Sequence, residues 1–419
     1  MKTILKQLLF GSILLATVAG SAVIASAQTA DPCEGAAERY DEFSKLFVMT
    51  DKKSLETAIE KGKVLVSVNG SCEAQKDGID FAKAELPKME ARLIKWNERL
   101  ARTALIERFD KGMKASNWDE VYASGKEILA KYGDEFRAVE LVLGTIGLDR
   151  MRDATPNPKW NDQTLQYAKQ AIASIESGKT FKTWGVGEFD YKTKENALGW
   201  MNFTIGYIQT FDKKNKKEGA IYMHKVSQGT SQANADPAVY TATAQYYVEL
   251  LNAEILKLKE MPAVDPADTD EVKKQKDEDL KKQAAIMKGT ADRALDAYAR
   301  AYAKAPVTAA AKPFKDSLLK SFKDIYQIRY DKPEGADAMI NTYASKPFLS
   351  PTAPIVPVAE TALAATTGAA ATKPATGPAT KPATIPAKNP VTTPVKPATV
   401  VKPATAKPGA AVAKKKTTR

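Results

Sequence analysis

The sequence predicts an all-α protein whose main body is a continuous series of helices. Between Glu34 and Tyr343, apolar side chains recur at steps of three and four residues, the spacing of one face of an α-helix. The same region has almost no stretch in which β-branched or aromatic residues alternate with polar ones, so strands are not expected. The breaks between the periodic segments are short. We therefore expect about twelve helices, arranged as six pairs.

The first 27 residues have the layout of a cleaved secretion signal. Lys2 and Lys6 form a short basic start, an apolar run covers residues 8–24, and Ala25-Ser26-Ala27 supplies the small residues of a cleavage site. We expect the mature chain to begin at Gln28 and to be periplasmic or secreted, with no retained membrane span. A retained anchor is the alternative. A lipid anchor is disfavoured because no cysteine directly follows the apolar run.

Cys33 and Cys72 are the only cysteines of the chain. Because an oxidising compartment lets two thiols pair, we predict a disulfide between them that closes the first helix pair. The alternative is a redox-active thiol, but the two residues lack the Cys-x-x-Cys spacing that is typical of such sites.

The first three helices are predicted from the spacing of apolar residues and from a capping residue before the second helix. A helix over Glu34–Met49 places its apolar side chains on one face, and Thr50-Asp51 supplies a cap for the next helix. The loop Asn69-Gly70-Ser71 ends that pair. A long third helix then runs towards Phe109, and an interruption near Pro87 is left open. The apolar positions behind these assignments are Ala37, Tyr40, Phe43, Leu46, Phe47, Leu55, Ala58, Ile59, Met89, Leu93, Trp96 and Leu100.

The later helices are short and joined by tight turns. Asn117-Trp118-Asp119 opens one helix, Tyr132-Gly133-Asp134 closes it, and Phe136–Leu148 forms the next. Two irregular insertions, residues 177–194 and 262–279, are expected to be solvated linkers. Further helices are predicted over residues 163–177, 195–211, 217–228, 237–258, 278–304, 314–330 and 335–343.

One stretch near the end of the body has the spacing of a known repeat. Ala294, Tyr298, Ala301 and Pro306 stand four, three and five residues apart, and this pattern resembles the second helix of a tetratricopeptide repeat. Alanine at these points lets the helix approach its neighbours, while the aromatic ring fills the space between them. Partial matches to the repeat occur at Leu143-Gly144, at Ile205-Gly206, at Asp236-Pro237, and at Trp118 with Tyr122.

The resemblance implies a tetratricopeptide-like helical solenoid over residues 28–348, and a non-repetitive α-solenoid is the alternative. It further implies a non-catalytic scaffold whose concave face binds an extended peptide or another protein. If Ile205-Gly206 matches the first helix of a repeat, the aromatic stripe of Trp200, Phe203 and Tyr207 lines the ligand groove. The other interpretation of a stripe at helical spacing is core packing.

Composition and motifs exclude most catalytic chemistry. One histidine and two cysteines are too few for most metal sites and catalytic triads. His224 has no second histidine or nucleophile motif beside it, so it is interpreted as an ordinary helix residue. Gly185 and Gly187 lack the third glycine of a dinucleotide-binding loop. We therefore expect no enzyme activity, no cofactor and no metal.

Residues 349–419 form a tail rich in proline, alanine, threonine and lysine, a composition that cannot build a core. The net charge of +12 is concentrated there, because residues 351–419 carry +9, the leader +2 and the body +1. We expect a disordered basic tail that contacts anionic polymers of the cell envelope and no nucleic acid. A glycosylated spacer and a merely solubilising tail are the alternatives. The lysines in question are Lys373, Lys381, Lys396, Lys402, Lys414, Lys415 and Lys416.

Together these features predict an exported bacterial scaffold that binds a protein or peptide in a solenoid groove and reaches an anionic envelope polymer through its tail. The alternative is a structural or wall-associated protein in which the tail is the functional part and the solenoid only self-associates.

Overall fold

The computed structural model describes residues 31–358, and within them the chain is helical and has no β-strand. The predicted all-α class is confirmed for these residues. The predicted leader, residues 1–27, and the tail lysines from Lys373 to Lys416 lie outside the described residues.

The first of two compact units ends at Ala104 and, within the described residues 31–104, contains a helix pair and the first part of a third helix. Its elements are α1 (Ala36–Phe47), α2 (Lys52–Asn69) and the start of α3 (Lys76–Lys114). The sequence predicted one helical body over residues 28–348, whereas the chain divides after Ala104. The core of this unit is formed by Ala36, Phe43, Leu55, Ala58, Ile59, Leu65, Cys72, Ile79, Ala82, Leu86 and Met89.

Local chemistry explains the ends and the continuity of these helices. Asp51 caps α2, because its carboxylate accepts a hydrogen bond from the Ser54 amide at 3.0 Å. Pro87 lies inside α3 without ending it. Its side chain is exposed, so water can reach the backbone carbonyl that the missing proline amide leaves free. The interruption left open at Pro87 does not occur.

Cys33 and Cys72 form the predicted disulfide, with their Cα atoms 4.8 Å apart. The bond joins the residues just before α1 to those just after α2, so it closes the first helix pair. The two cysteines are 39 positions apart, and cross-linking a loop of that length restricts the unfolded chain by about 4 kcal/mol in the loop-entropy picture. The predicted pairing is confirmed.

The second compact unit begins at Leu105 and, within the described residues 105–358, contains the rest of α3 and the remaining helices. Consecutive helices pack on each other throughout its C-terminal half, and several next-nearest helices also touch. A large core of aliphatic, alanine and aromatic side chains connects them. The elements are α4 (Trp118–Tyr132), α5 (Val139–Leu143), α6 (Ile146–Met151), α7 (Asn161–Glu176), α8 (Lys194–Phe211), α9 (Lys216–Gln228), α10 (Ala238–Glu260), α11 (Asp270–Lys304), α12 (Lys312–Tyr330) and α13 (Ala336–Ala344).

The first predicted linker, residues 177–194, is a packed loop. Phe181 and Phe189 are buried, and the ring of Phe181 stacks on that of Trp184 with centroids 5.0 Å apart. Gly185 has a φ of 133°, and a side chain there would collide with the Phe189 carbonyl, so this turn requires glycine. The expectation of a solvated linker was wrong because the aromatic side chains of the loop bury it.

The second predicted linker, residues 262–279, is helical in its second half. Helix α11 begins at Asp270 and not at the predicted Glu278. Thr269 Oγ1 accepts a hydrogen bond from the Val272 amide at 3.4 Å, and an acidic first turn suits the positive end of the helix dipole. The acidic stretch is therefore the start of a helix, and only the residues before Asp270 are irregular.

Candidate functional site: a groove occupied by residues 346–358

The last described residues lie along α11. We call residues 346–358 the docked segment, and the surface of α9, α10 and α11 beneath it the groove. Residue numbers rise along the docked segment while they fall along α11, so the two run antiparallel. Three hydrogen bonds establish this path: from Arg300 Nη2 to the Lys346 carbonyl, from Arg293 Nη2 to the Pro354 carbonyl at 3.1 Å, and from the Val358 amide to the Ala285 carbonyl at 3.0 Å.

The second half of the docked segment, residues 354–358, forms no helix, strand or turn. It passes from the Pro354 carbonyl, bonded to the Arg293 side chain, to the Val358 amide, bonded to the Ala285 carbonyl. Four residues of the segment thus accompany eight residues of α11, as expected for an extended chain beside an α-helix, because an extended chain rises about twice as far per residue.

Gly289 gives the closest approach between the groove and the docked segment. It is buried in α11, where an added Cβ would collide with the Val356 carbonyl and lie 3.1 Å from Ile355 Cγ2. Glycine inside a helix is less favourable than alanine by about 1 kcal/mol. The passage of a second backbone over this position explains why the helix has a glycine there.

An aromatic ring anchors the first half of the docked segment. Phe348 is half-buried and packs edge-on against Tyr240, with ring centroids 5.2 Å apart. The ring of His224 lies 5.7 Å from the same ring. The Arg300 guanidinium is 5.0 Å from the Phe348 centroid, within the range of a cation–π contact. Helices α9, α10 and α11 thus each contribute one side chain to the Phe348 site.

The groove carries ionisable side chains beneath the docked segment. Arg300 Nε donates a hydrogen bond to Asp296 Oδ1 at 2.8 Å. Burial nevertheless raises the pKa of Asp296 to about 6, because it penalises the charged carboxylate more than the nearby cations favour it. Burial also lowers the pKa of His224, and the positive charge of Arg293 adds to that effect.

Three polar atoms in this region have no hydrogen-bond partner within residues 31–358: the Tyr247 hydroxyl, Arg293 Nη1 and His224 Nδ1. Tyr247 is only 1% exposed, and the Arg293 guanidinium lies 6.0 Å from its ring centroid. An unpaired buried polar group costs about 1–3 kcal/mol. The docked segment therefore fills the groove without satisfying all of its polar atoms.

The aromatic stripe predicted to line a groove lies on α8 and is mostly core. Phe203 and Tyr207 are 0% and 5% exposed, and Trp200 is partly buried against the same core. The three rings pack in series, with centroids 5.4 Å and 5.9 Å apart, and Arg152 covers Phe203 and Tyr207. Rings enclosed in this way cannot contact a ligand, which corrects the expectation for Phe203 and Tyr207. Trp200 is only partly buried, so its contact with a ligand stays a prediction.

The residues of the repeat pattern occupy a different face of α11 from the groove. Ala294, Tyr298 and Ala301 are buried, and burial raises the pKa of Tyr298 to about 12. Pro306 comes just after the helix ends at Lys304. The groove positions 289, 293, 296 and 300 repeat at steps of four, three and four, so they form a second stripe on the same helix.

The docked segment overlaps the region predicted to be a disordered tail. The sequence predicts disorder from residue 349 onward, yet Pro351 is buried and Ile355 packs against the core. The prediction was wrong for residues 349–358. It rested on the composition of the whole tail, which differs from the more apolar composition of its first residues. The local signal was a group of apolar side chains beside the last aromatic residue of the chain, namely Phe348, Leu349, Ile355, Val356 and Val358.

No protein-family model, curated protein or solved structure matches the chain. Across residues 31–358, no helix has both the length and the apolar character that crossing a membrane requires. The described part of the chain also has no group of three or more histidine, cysteine, aspartate or glutamate residues placed to hold a metal ion. The groove is the candidate site because it combines an extended chain, an aromatic contact and unpaired polar atoms.

Proposed function

We propose that the chain is an exported, non-catalytic scaffold that binds a protein or peptide partner in the groove over α9, α10 and α11. The docked segment is the observation that supports this best, because an extended chain already lies in the groove. It is held through backbone carbonyl and amide groups and through one aromatic ring. Backbone hydrogen bonds and aromatic-lined grooves are recurring means of binding extended peptides.

A tetratricopeptide-like solenoid is part of this proposal. The packing of consecutive helices from α7 to α12 supports it, because each repeat of a solenoid contacts mainly its neighbours. The burial of Ala294, Tyr298 and Ala301 also supports it, since the repeat pattern needs small residues and a ring between helices. The proposed ligand surface is the groove with its docked segment, and not the buried Phe203 and Tyr207 of the α8 stripe.

Export and a tail function complete the proposal. The Cys33–Cys72 disulfide supports an oxidising location, since cytosolic thiols are kept reduced. The leader pattern in residues 1–27 supports secretion or a periplasmic location. We propose that the tail lysines contact an anionic envelope polymer. A structural or wall-associated protein, in which this tail is the functional part and the solenoid self-associates, is the second candidate, and the +9 charge of residues 351–419 favours it.

The groove function is tested by filling the groove. Gly289→Leu places a side chain where the Val356 carbonyl now lies, and leucine is a good helix former, so α11 is retained. Full-length wild-type chain and the variant are used as baits on an envelope extract from the source cells, and captured proteins are compared by mass spectrometry. A groove partner is captured by the wild type and lost by Gly289→Leu.

Ala303→Leu is the matched control, because it adds the same side chain at an exposed position of the same helix. It should capture the partner as the wild type does. Equal capture by Gly289→Leu and the wild type would exclude the groove as the binding surface. Capture of further copies of the chain itself, unaffected by Gly289→Leu, would instead favour the self-associating candidate.

A further inference from the structure

The docked segment has features of a ligand that another peptide can displace from the groove. Leu349 and Val356 are 49% and 69% exposed, and no helix or strand forms within residues 354–358. The segment contacts the body mainly through the Phe348 ring, the buried Pro351, the half-buried Ile355 and three hydrogen bonds.

The docked segment also leaves hydrogen-bonding capacity unused. Tyr247, Arg293 and His224 each have one buried polar atom without a partner within residues 31–358. A peptide that places a hydrogen-bond acceptor beside Arg293 or Tyr247 would gain interactions that the docked segment does not make. The chain's own segment is therefore an incomplete ligand for the groove.

We infer that the groove binds an extended, proline-containing peptide of a second protein, and that residues 346–358 compete with that peptide for the same surface. This inference rests on the proposed function and names the chemistry of the partner. The partner presents an aromatic ring to Tyr240, His224 and Arg300. It then runs antiparallel to α11 with its backbone over Gly289.

The preference for proline follows from the docked segment itself. Pro354 and Pro357 stand three residues apart, which is the period of a polyproline helix, and residues 354–358 form no helix, strand or turn. Pro351 lies in a turn closed by a hydrogen bond from the Ala353 amide to the Ser350 carbonyl. Proline loses little conformational freedom on binding, so a peptide of this kind is already close to the shape that the groove accepts.

Tethering explains why the groove is occupied in the isolated chain. Residues 346–358 follow directly after α13, so their local concentration at the groove is in the millimolar range that short linkers give. Even a weakly bound segment then occupies the groove most of the time. The apparent affinity for an external peptide is reduced by the fraction of molecules whose groove is free.

The test uses the full-length chain and a labelled synthetic peptide with the sequence of residues 346–358. In an opened variant, Phe348→Ala and Ile355→Ala remove the two side chains that pack against the body, while the groove is unchanged. Binding is measured by fluorescence anisotropy. We expect the opened variant to bind the peptide about tenfold more tightly than the wild type. A tenfold gain is the effect of releasing a segment that occupies the groove in about nine molecules of ten.

Two controls identify the site of binding. Leu349→Ala with Val356→Ala changes two exposed side chains of the same segment and should bind the peptide as weakly as the wild type. Adding Gly289→Leu to the opened variant should abolish binding. Equal affinity of the wild type and the opened variant, or no binding by either, would overturn the inference.

A measurement on the wild-type chain avoids any effect of the substitutions on folding. The Val358 amide donates to the Ala285 carbonyl when the segment is docked, so its hydrogen exchange, followed by mass spectrometry, reports whether the segment leaves the groove. Saturating peptide should speed this exchange, and unchanged protection with peptide bound would contradict competition. Failure here is distinguishable from failure of the proposed function, because capture of a partner that Gly289→Leu abolishes does not depend on competition.

Discussion

At the scale of single residues, a substitution at Gly289 should affect the stability of α11 and the docking of the segment in opposite directions. Gly289→Ala should strengthen the helix by up to about 1 kcal/mol, but its methyl group collides with the Val356 carbonyl and displaces the segment. We expect the Val358 amide, which now donates to Ala285, to exchange its hydrogen faster. Hydrogen exchange followed by mass spectrometry measures this. Unchanged protection of Val358 would show that the segment can shift to accommodate the methyl group.

Asp296 should make stability depend on pH. Its pKa rises from an ordinary value of 3.8 to about 6 on burial, so between about pH 4 and 6 the folded carboxyl holds a proton that the unfolded one has released. The free energy of unfolding therefore falls as pH rises through this range. Arg293, Arg300 and Lys346 oppose the shift because they favour the charged form.

Asp296→Asn removes the titration and keeps an acceptor for Arg300. We expect wild-type stability, relative to this variant, to be greater at pH 4.5 than at pH 7 in urea denaturation at both pH values. A relative stability that is independent of pH would mean that Asp296 titrates alike in the folded and unfolded chain.

At the scale of helices, α8 is a core element, and its central ring should be essential to stability. Phe203→Ala removes a ring that is 0% exposed and should lower the free energy of unfolding by about 3–5 kcal/mol. Trp200→Ala should cost less, because that side chain is only partly buried. Urea denaturation of both variants tests the order. An equal or larger loss for Trp200→Ala would contradict the assignment of Phe203 to the centre of the core.

The periodicity of the sequence predicts the helices better than it predicts what their faces contact. The spacing of Trp200, Phe203 and Tyr207 correctly indicates one helical face, but nothing in the spacing says whether that face meets solvent or other helices. The cysteine pair could be predicted because only one pairing exists. Whether Pro87 interrupts the third helix could not be predicted, because the effect of a proline on a helix depends on whether water reaches the carbonyl that it frees.

The groove itself could not be predicted from local patterns. Gly289 is a single glycine in a helical pattern, and only the three-dimensional structure places the Val356 carbonyl above it. The Phe348 site combines side chains from three helices with one from the segment after α13. Such contacts join residues far apart in the chain, and they follow from how helices pack together and not from the order of residues within any one helix.

At the scale of the whole molecule, the docked segment changes where the tail begins. A truncation after Ser350 would remove part of the docked segment and disturb the groove, whereas a chain truncated after Val358 keeps the segment and its bond to Ala285. All ten basic residues of the tail, and its one acidic residue, lie beyond Val358. The truncation after Val358 therefore removes residues 359–419 with all of the tail charge and leaves the docked segment in place.

Comparing this truncated chain with the full-length chain tests the proposed tail function. The full-length chain should be retained on isolated envelope polymer at low salt and released as salt rises, because each lysine that neutralises an anionic group displaces a counterion. The truncated chain should show little retention, because the remaining body has nearly balanced charge. Retention is measured by co-sedimentation at low and high salt. If both chains are retained equally, the polymer is bound by the body, and the tail is a spacer that contributes reach and no affinity.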